Sequence, residues 1–461
     1  MKFVVYREYF YNHNLMSNIL KKTLLLALFA SPLSSHAGVF GTYDDEGTLF
    51  RNSLNSEIPS PVLAKIEDKK ESKDAVLYLL EKARLLQVNH QYQESSELYK
   101  SAFELLDKQN NRAKVSVSRM GFKALSMLSN ESVVPYDVPS YEQVLAHIAQ
   151  AKNYIFLKDV EAAGVEMRIA QRIQREIEID HEKELARKKP KNENNPAFNT
   201  LDEAFSGLDP IAGKIKNTYQ NAYAFYMAAN LWEAVGEYND ALVDYKKSYE
   251  LQSDKNIAQD VQRLDKITAK NKSMVPVVVF IEQGIIPKKI ENKLAIPVPN
   301  GIVNIAFATY EPSTYISPKS LKIKINQNYE QSYVVSDIGA LAVKDLKEKV
   351  IGTMTSQILR ATTKFVAQQQ LGQQLGSLGQ LAGNLMNVAT ERADLRAWST
   401  LPSNTQIARF DLKPGSHKLQ ILGSRATSPT IDLNVSPDQT VFVYVNDVND
   451  KITASVSAIS H

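Results

Sequence analysis

Cysteine is absent from this 461-residue chain. A chain without thiols has no disulfide bonds, no thiolate metal site, no cysteine nucleophile and no cysteine to carry a lipid anchor. It must be held together by its cores alone, and its length and 44% content of hydrophobic residues are sufficient for that. The sequence predicts a folded, non-lipidated protein with more than one domain.

A strong charge of either sign is also lacking. The chain has 54 basic and 51 acidic side chains, which gives a formal net charge of +3. This balance produces no field that would steer the whole protein to nucleic acid. We therefore expect no nucleic-acid partner.

Motifs that carry catalysis or hold a cofactor are missing as well. The seven histidines are dispersed, without the paired helical spacing of a zinc site. No glycine-rich loop ends in Lys-Ser or Lys-Thr, and Ser377 lacks the two flanking glycines of a nucleophile elbow. Residues 446–450 lack the full ligand series of a calcium loop and are interpreted as a hairpin turn. The prediction is a protein that is not an enzyme and has neither cofactor nor metal.

The N-terminus is typical of an export signal. Lys21-Lys22 precedes the apolar run 23–30, and Ala37 completes a cleavage site of small residues. The apolar run is about half of the roughly 20 residues that a membrane-spanning helix needs. We therefore predict a signal peptide over residues 1–37, no transmembrane helix after its cleavage, and a periplasmic location. Translation from Met16 would give a more compact signal, a hypothesis that mapping the nascent N-terminus tests.

After an N-terminal segment expected to be extended, residues 38–72, a helical period extends from 73 to 270. Its clearest element surrounds Gly236, where small and aromatic residues at matched spacings resemble the two helices of a tetratricopeptide repeat. Weaker copies surround Tyr92 and Val160, which lie 68 residues apart, twice the 34-residue period. The same spacings also fit a helical bundle of another kind.

Two further features belong to the helical part. Residues 182–200 are rich in Lys, Asn and Pro and predict a loop. The copy at Gly236 directly precedes the next domain, so we expect it to contact that domain and to leave partner binding to the earlier copies, around Tyr92 and Tyr154.

From residue 274 to 461 the period changes to two, which predicts a small, mainly antiparallel β domain. The turn Lys413–Ser416 predicts a hairpin. An inserted helical segment, residues 341–390, has an apolar first half and a second half rich in Gly and Gln, and is interpreted as a helical hairpin or a flap over the sheet. The predicted fold class is α+β multidomain, with tetratricopeptide-like repeats followed by this β domain.

The chain resembles a family of uncharacterised bacterial envelope proteins, usually lipoproteins, that combine a tetratricopeptide-like half with a β domain. The likeness covers nearly the whole mature chain, and its marks are Pro135-Tyr136, Tyr141-Glu142, residues 221–226, Glu282-Gln283-Gly284 with Pro287, residues 393–398, Leu401-Pro402 and residues 412–417. The resemblance implies an accessory role in the envelope and no catalytic residues. The missing cysteine departs from the family and puts outer-membrane anchoring in doubt.

Asp394, Arg396 and Trp398 are the most specific of these marks. They alternate, so in an extended segment they share one face, where a carboxylate and a guanidinium can pair and an indole can stack. The arrangement fits either a binding corner or a structural clamp.

Two functions from different classes follow. The first is a non-catalytic periplasmic scaffold that binds envelope proteins or lipoproteins through its helical repeats. The alternative is a protein that binds peptidoglycan or hydrolyses the cell wall, with carboxylates such as Asp394 or Glu282 in a groove between the helical and β halves.

Overall fold

The computed structural model describes residues 43–117, 135–187, 203, 205–266, 273–298, 301–350 and 392–460. The chain divides into two compact units, Met1–Glu46 and Gly47–His461. Only residues 43–46 of the first unit are described, so the fold below is that of the second. The predicted signal peptide lies outside the described residues.

The fold is α+β, as the sequence predicts, and helices form its N-terminal part. They are α1 (Tyr43–Asn52), α2 (Ser60–Lys69), α3 (Ala75–Val88), α4 (Tyr92–Val117), α5 (Ser140–Leu157), α6 (Val160–Arg187), α7 (Asp209–Ala212), α8 (Ala222–Ala234), α9 (Tyr238–Leu251) and α10 (Lys255–Asp265). The pairs α3/α4, α5/α6 and α8/α9 are each joined by a short turn and pack against each other.

The three helix pairs turn in the same way. In each pair, a residue in the turn after the first helix adopts left-handed backbone geometry: His90 (φ 64°), Lys158 (φ 64°) and Gly236 (φ 84°). In each, the N–H of that residue donates to the carbonyl three residues back, and the next N–H donates five residues back. These are the two hydrogen bonds of a Schellman cap. The shared geometry of the three turns is not evident from the sequence, because only one of them has glycine at the left-handed position.

Two predicted boundaries in this half are corrected. Residues 38–72 were expected to be extended, yet α1 and α2 lie there. Each is only ten residues long, too short for a clear period, and α2 buries just Val62 and Ile66. The predicted loop 182–200 begins too early, because α6 continues to Arg187 on a run of charged residues that suits a solvated helix. Residues 188–200 lie outside the described part.

The strands form three sheets. They are β1 (Val275–Gln283), β2 (Lys289–Val298), β3 (Gly301–Tyr310), β4 (Lys322–Ile325), β5 (Asn328–Gln331), β6 (Tyr333–Asp337), β7 (Asn404–Leu412), β8 (Gly415–Leu422), β9 (Ile431–Val435), β10 (Gln439–Val448) and β11 (Lys451–Ser460). Sheet A has the order β11-β10-β1-β7-β6, sheet B is β2-β3, and sheet C is β5-β4-β8-β9. All pairings are antiparallel except the central pair of sheet A, β1 with β10.

Sheet A is buried on both faces. Alternate residues of β1, such as Val277 and Val279, pack with β4, β8 and β9 of sheet C in one hydrophobic core. The other face of β1 meets the helices, where Phe280 lies edge-on to Tyr223 of α8 at 6.0 Å. The result is three layers, helices on sheet A on sheet C, which explains the continuous apolar run of β1.

Three details of the β part differ from or match the expectations. The turn at Gly415 does not close a hairpin, because β7 pairs in sheet A and β8 pairs in sheet C, so the chain changes layers there. The turn at Asn449 and Asp450 is the expected hairpin, with φ of 53° and 55° between β10 and β11. The inserted helix starts earlier than predicted and is described over residues 338–350, while 351–391 lie outside the described residues.

Candidate functional site

Asp394 and Arg396 form the predicted two-point ion pair on an irregular segment before β7. Nε and Nη2 of Arg396 donate to the two carboxylate oxygens of Asp394, at 2.8 and 2.5 Å. The guanidinium also pairs with Asp74, just before α3. The ring beside it is that of Tyr136, at 5.7 Å from the guanidinium carbon. Burial raises the pKa of Asp394, but Arg396 outweighs this and holds the pKa below its usual value.

Trp398 belongs to the core and not to a surface corner. Its indole is fully buried and lies 6.1 Å from the ring of Tyr99 in α4. Its backbone N–H donates to Glu142 of α5 at 3.2 Å. The N–H groups of Ser399 and Thr400 donate to Glu81 of α3, at 2.5 and 3.2 Å. These contacts fasten the segment to two helices, which favours the clamp over the binding corner.

Tyr92 and Tyr154 also have intramolecular contacts. Tyr92 stacks on Phe156 at 4.8 Å, and its hydroxyl donates to Ser455 of β11 at 2.7 Å. Burial raises the pKa of Tyr92 to about 12. Tyr154 is 9% exposed, with the Lys100 ammonium 5.5 Å from its ring centre. The two tyrosines thus contact elements other than the segment that carries Arg396.

A buried ion cluster joins the helices to the centre of sheet A. Glu282 of β1 pairs with Arg84 of α3, Oε2 to Nη1 at 2.5 Å, and with Lys152 of α5 through Oε1. Tyr444 of β10 donates to the same carboxylate at 2.5 Å, and its ring faces the Lys152 ammonium at 4.3 Å. Asn446 accepts from Arg84 at 3.3 Å. We call these five residues the central cluster.

The charges of the central cluster depend on one another. Burial raises the pKa of Glu282, but the charges of Arg84 and Lys152 outweigh it and lower the pKa to about 2. Burial lowers the pKa of Lys152 to about 8 in spite of the carboxylate. Glu282 is therefore an anion between two buried cations, with 5% of its side chain exposed. It holds layers together and is not open to a substrate.

A second ion cluster joins the last helices to β7. Glu233 of α8 accepts from Arg409 of β7 at 2.8 Å and from Arg263 of α10 at 2.6 Å. Tyr245 of α9 donates to Glu233 at 2.9 Å. Burial raises the pKa of Glu233, but the two arginines outweigh it and lower the pKa to about 2. The helix pair at Gly236 thus meets the β part, as expected.

A cavity of about 290 Å³ lies beside the Asp394–Arg396 pair. Its apolar walls include Tyr136, Phe307 and Tyr310, and Lys289 and Lys349 supply positive charge. Asp394 and Arg396, two of the residues that the sequence indicated, line this cavity.

A wider groove of about 560 Å³ lies between α2, α3 and α4. Leu63, Leu86 and Leu98 give it an apolar floor. Glu94 and Glu97 are exposed beside that floor. It lies on the outer side of the first helix pair and was not anticipated from the sequence.

The sequence did not indicate most of the residues that join the layers. Arg84, Lys152 and Arg409 lie within largely apolar helices or strands, and each is under 10% exposed in its side chain. A lone charge in an apolar pattern was the available signal, since buried charges need partners. Which partner it meets depends on contacts 130 or more residues away in sequence.

Over the described ranges, no helix has the length and apolar character that crossing a bilayer requires. The same residues contain no group of three or more His, Asp or Glu placed to hold a metal ion. In comparisons of the chain with family models, with curated proteins and with solved structures, none matches it.

Proposed function

We propose that this protein is a non-catalytic scaffold of the bacterial periplasm, of the envelope family that its sequence resembles, and that it binds another envelope protein through tetratricopeptide-like repeats. The observation that carries the proposal is the apolar groove between α2, α3 and α4. Soluble proteins seldom leave such a groove open without a partner for it.

Support for the repeats comes from the three matching Schellman turns at His90, Lys158 and Gly236. Repeats of this kind stack helix pairs and present one surface to a partner. Each pair also contacts the β part: α3/α4 through Arg84 and Tyr92, α5/α6 through Lys152, and α8/α9 through Glu233. Among the described helix pairs, we assign partner binding to the side of α3/α4 that carries the groove.

The chemistry of the groove indicates the kind of partner. Its floor takes apolar side chains, and Glu67, Glu94 and Glu97 outnumber Lys82 around it. An amphipathic helix inserts residues spaced three and four apart into such a floor, and basic residues beside them would pair with the rim. We expect the partner to dock a helix with Lys or Arg next to its apolar stripe.

The alternative, a wall-binding or hydrolytic protein, has weaker support. Its two candidate carboxylates, Asp394 and Glu282, are held in ion pairs with Arg396, Arg84 and Lys152. Hydrolysis needs a carboxylate that can reach the reacting bond or a water. Glu282 is buried, and both carboxylate oxygens of Asp394 are held by Arg396.

Affinity capture from envelope extract tests the proposal when it is combined with a groove variant. Leu98→Asp places a charge on the apolar floor and should reduce recovery of a stable protein partner at least tenfold. Val243→Asp makes the same change at an isolated residue of α9 that is 60% exposed, and should leave recovery unchanged. Equal recovery by both variants, or retention of the wild type on isolated peptidoglycan alone, would contradict the proposal.

A further inference from the structure

The cavity beside Arg396 contains a cation without a counter-ion. Nζ of Lys289 donates to the backbone carbonyl of Arg396 at 2.8 Å. Among the described residues, no carboxylate oxygen lies within 4 Å of this ammonium. The other two cations in the wall are paired: Arg396 with Asp394 and Asp74, and Lys349 with Asp345 at 2.9 Å. Lys289 is thus the one cation of these three without an ion pair, although Asp137, Asp345 and Asp394 also line the wall.

The partial burial of Lys289 makes this unusual. Lys289 starts β2, and the 135–141 segment, β3 and residues 345–350 of the inserted helix surround the cavity that it lines. A desolvated ammonium normally gains a carboxylate or several hydrogen-bond acceptors. Here burial lowers the pKa of Lys289, and the nearby negative charges do not restore it.

The other residues of the cavity wall limit the kind of ligand that could pair with the Lys289 ammonium. Tyr136, Phe307 and Tyr310 offer ring faces to a flat or apolar group. Asp137, Asp345 and Asp394 also line it and would repel a dianion such as a phosphate monoester more strongly than a monoanion. At about 290 Å³, the space is near the lower limit of ligand pockets and suits a small molecule or a chain end.

We propose that this cavity is a binding site for a monocarboxylate on a compact ring or short chain, with the carboxylate on Nζ of Lys289 and the remainder against the aromatic wall. The carboxylate could come from a peptide C-terminus or from a sugar acid, which share this chemistry. The site is separate from the groove at α2–α4, so it stands or fails independently of the scaffold function.

Titration calorimetry on the full chain with two matched pairs of probes tests the site. N-acetylalanine is compared with N-acetylalaninamide, and glucuronate with glucose. We expect at least one carboxylate to bind at least tenfold more tightly than its neutral counterpart, and the tighter pair identifies the source. Equal binding within each pair, or no binding of either carboxylate at about 10 mM, overturns the proposal.

Two variants locate the charge that is responsible. Lys289→Met should abolish the preference for the carboxylate while leaving the melting temperature at least as high, because it removes a partly buried cation that has no ion pair. Lys349→Met, in which the lost cation is half exposed and already paired, should retain binding within about threefold. A preference that survives Lys289→Met overturns the assignment.

A soaked crystal of the wild type covers the case in which Lys289→Met does not fold. The carboxylate of the tighter probe should lie within hydrogen-bonding distance of Nζ of Lys289. A carboxylate bound elsewhere overturns the site.

Discussion

Replacing Glu282 by Gln should be among the most damaging single changes in this protein. The carboxylate neutralises Arg84 and Lys152, whose side chains are 5% and 2% exposed. Removing one partner of a buried pair costs about 3–5 kcal/mol, because the remaining charge stays buried without compensation. We expect a loss of this size in the free energy of unfolding at pH 7.

The pH dependence of that loss identifies its cause. Burial already lowers the pKa of Lys152 to about 8, and without Glu282 it falls further, so Lys152 becomes neutral in the folded variant while it stays protonated in the unfolded chain. The unfolded state then binds one more proton, and stability rises with pH by about 1.4 kcal/mol per unit. The deficit of Glu282→Gln should therefore shrink between pH 7 and pH 9.

Urea unfolding, followed by the fluorescence of the two buried tryptophans, Trp232 and Trp398, measures both effects. Adding Lys152→Met to Glu282→Gln should recover more than half of the loss, since Lys152 then no longer has to lose its proton on folding. Glu97→Gln on the exposed side of α4 is the control and should cost under about 0.5 kcal/mol. A loss below about 1 kcal/mol for Glu282→Gln, or a deficit independent of pH, would refute the account of the central cluster.

Three further outcomes are expected. Lys158→Gly should stabilise the fold by about 0.5–1 kcal/mol, and Gly236→Ala should destabilise it by about 1 kcal/mol, because left-handed backbone geometry strains any residue with a Cβ. Urea unfolding should give changes of opposite sign in the free energy of unfolding for the two variants. Burial raises the pKa of Glu142 to about 7, so the folded state keeps this proton at pH 5 and loses it as pH rises through 7. The free energy of unfolding of the wild type should therefore fall by up to about 3 kcal/mol across that range, and Glu142→Gln should remove this part of the pH dependence. Arg396→Ala should lower the free energy of unfolding by about 2–4 kcal/mol. Arg425, whose side chain is 75% exposed, is the control, and Arg425→Ala should lower it by less than about 0.5 kcal/mol. Similar melting temperatures for the two variants would contradict the clamp.

Local periodicity was sufficient to predict the order of elements. The change from helical to strand period near residue 274 matches the step from α10 to β1, and the Asn449-Asp450 turn closes the predicted hairpin. Helices and strands can be predicted from the spacing of apolar side chains that lie a few residues apart. Short elements such as α2 were missed because ten residues contain too little of a period.

The pairing of Asp394 with Arg396 was also predictable, because the two side chains are neighbours in an extended segment. Their surroundings were not. Asp74 and Tyr136, which complete the clamp, come from the helical half. Tyr92 was predicted to face a partner, yet it contacts β11, since nothing within one helix shows what will pack against it.

The sequence by itself determined the α+β class, the order of helices and strands, the lack of thiol chemistry and the positions of the turns near Tyr92, Val160 and Gly236. Only the tertiary structure decided that these turns share one backbone geometry, that sheet A lies between helices and a second sheet, and that Glu282 is a structural anion. The physical reason is the distance along the chain over which each kind of interaction acts. Periodicity and turn geometry act over a few residues, whereas the energy of a buried charge depends on partners brought together from distant parts of the chain.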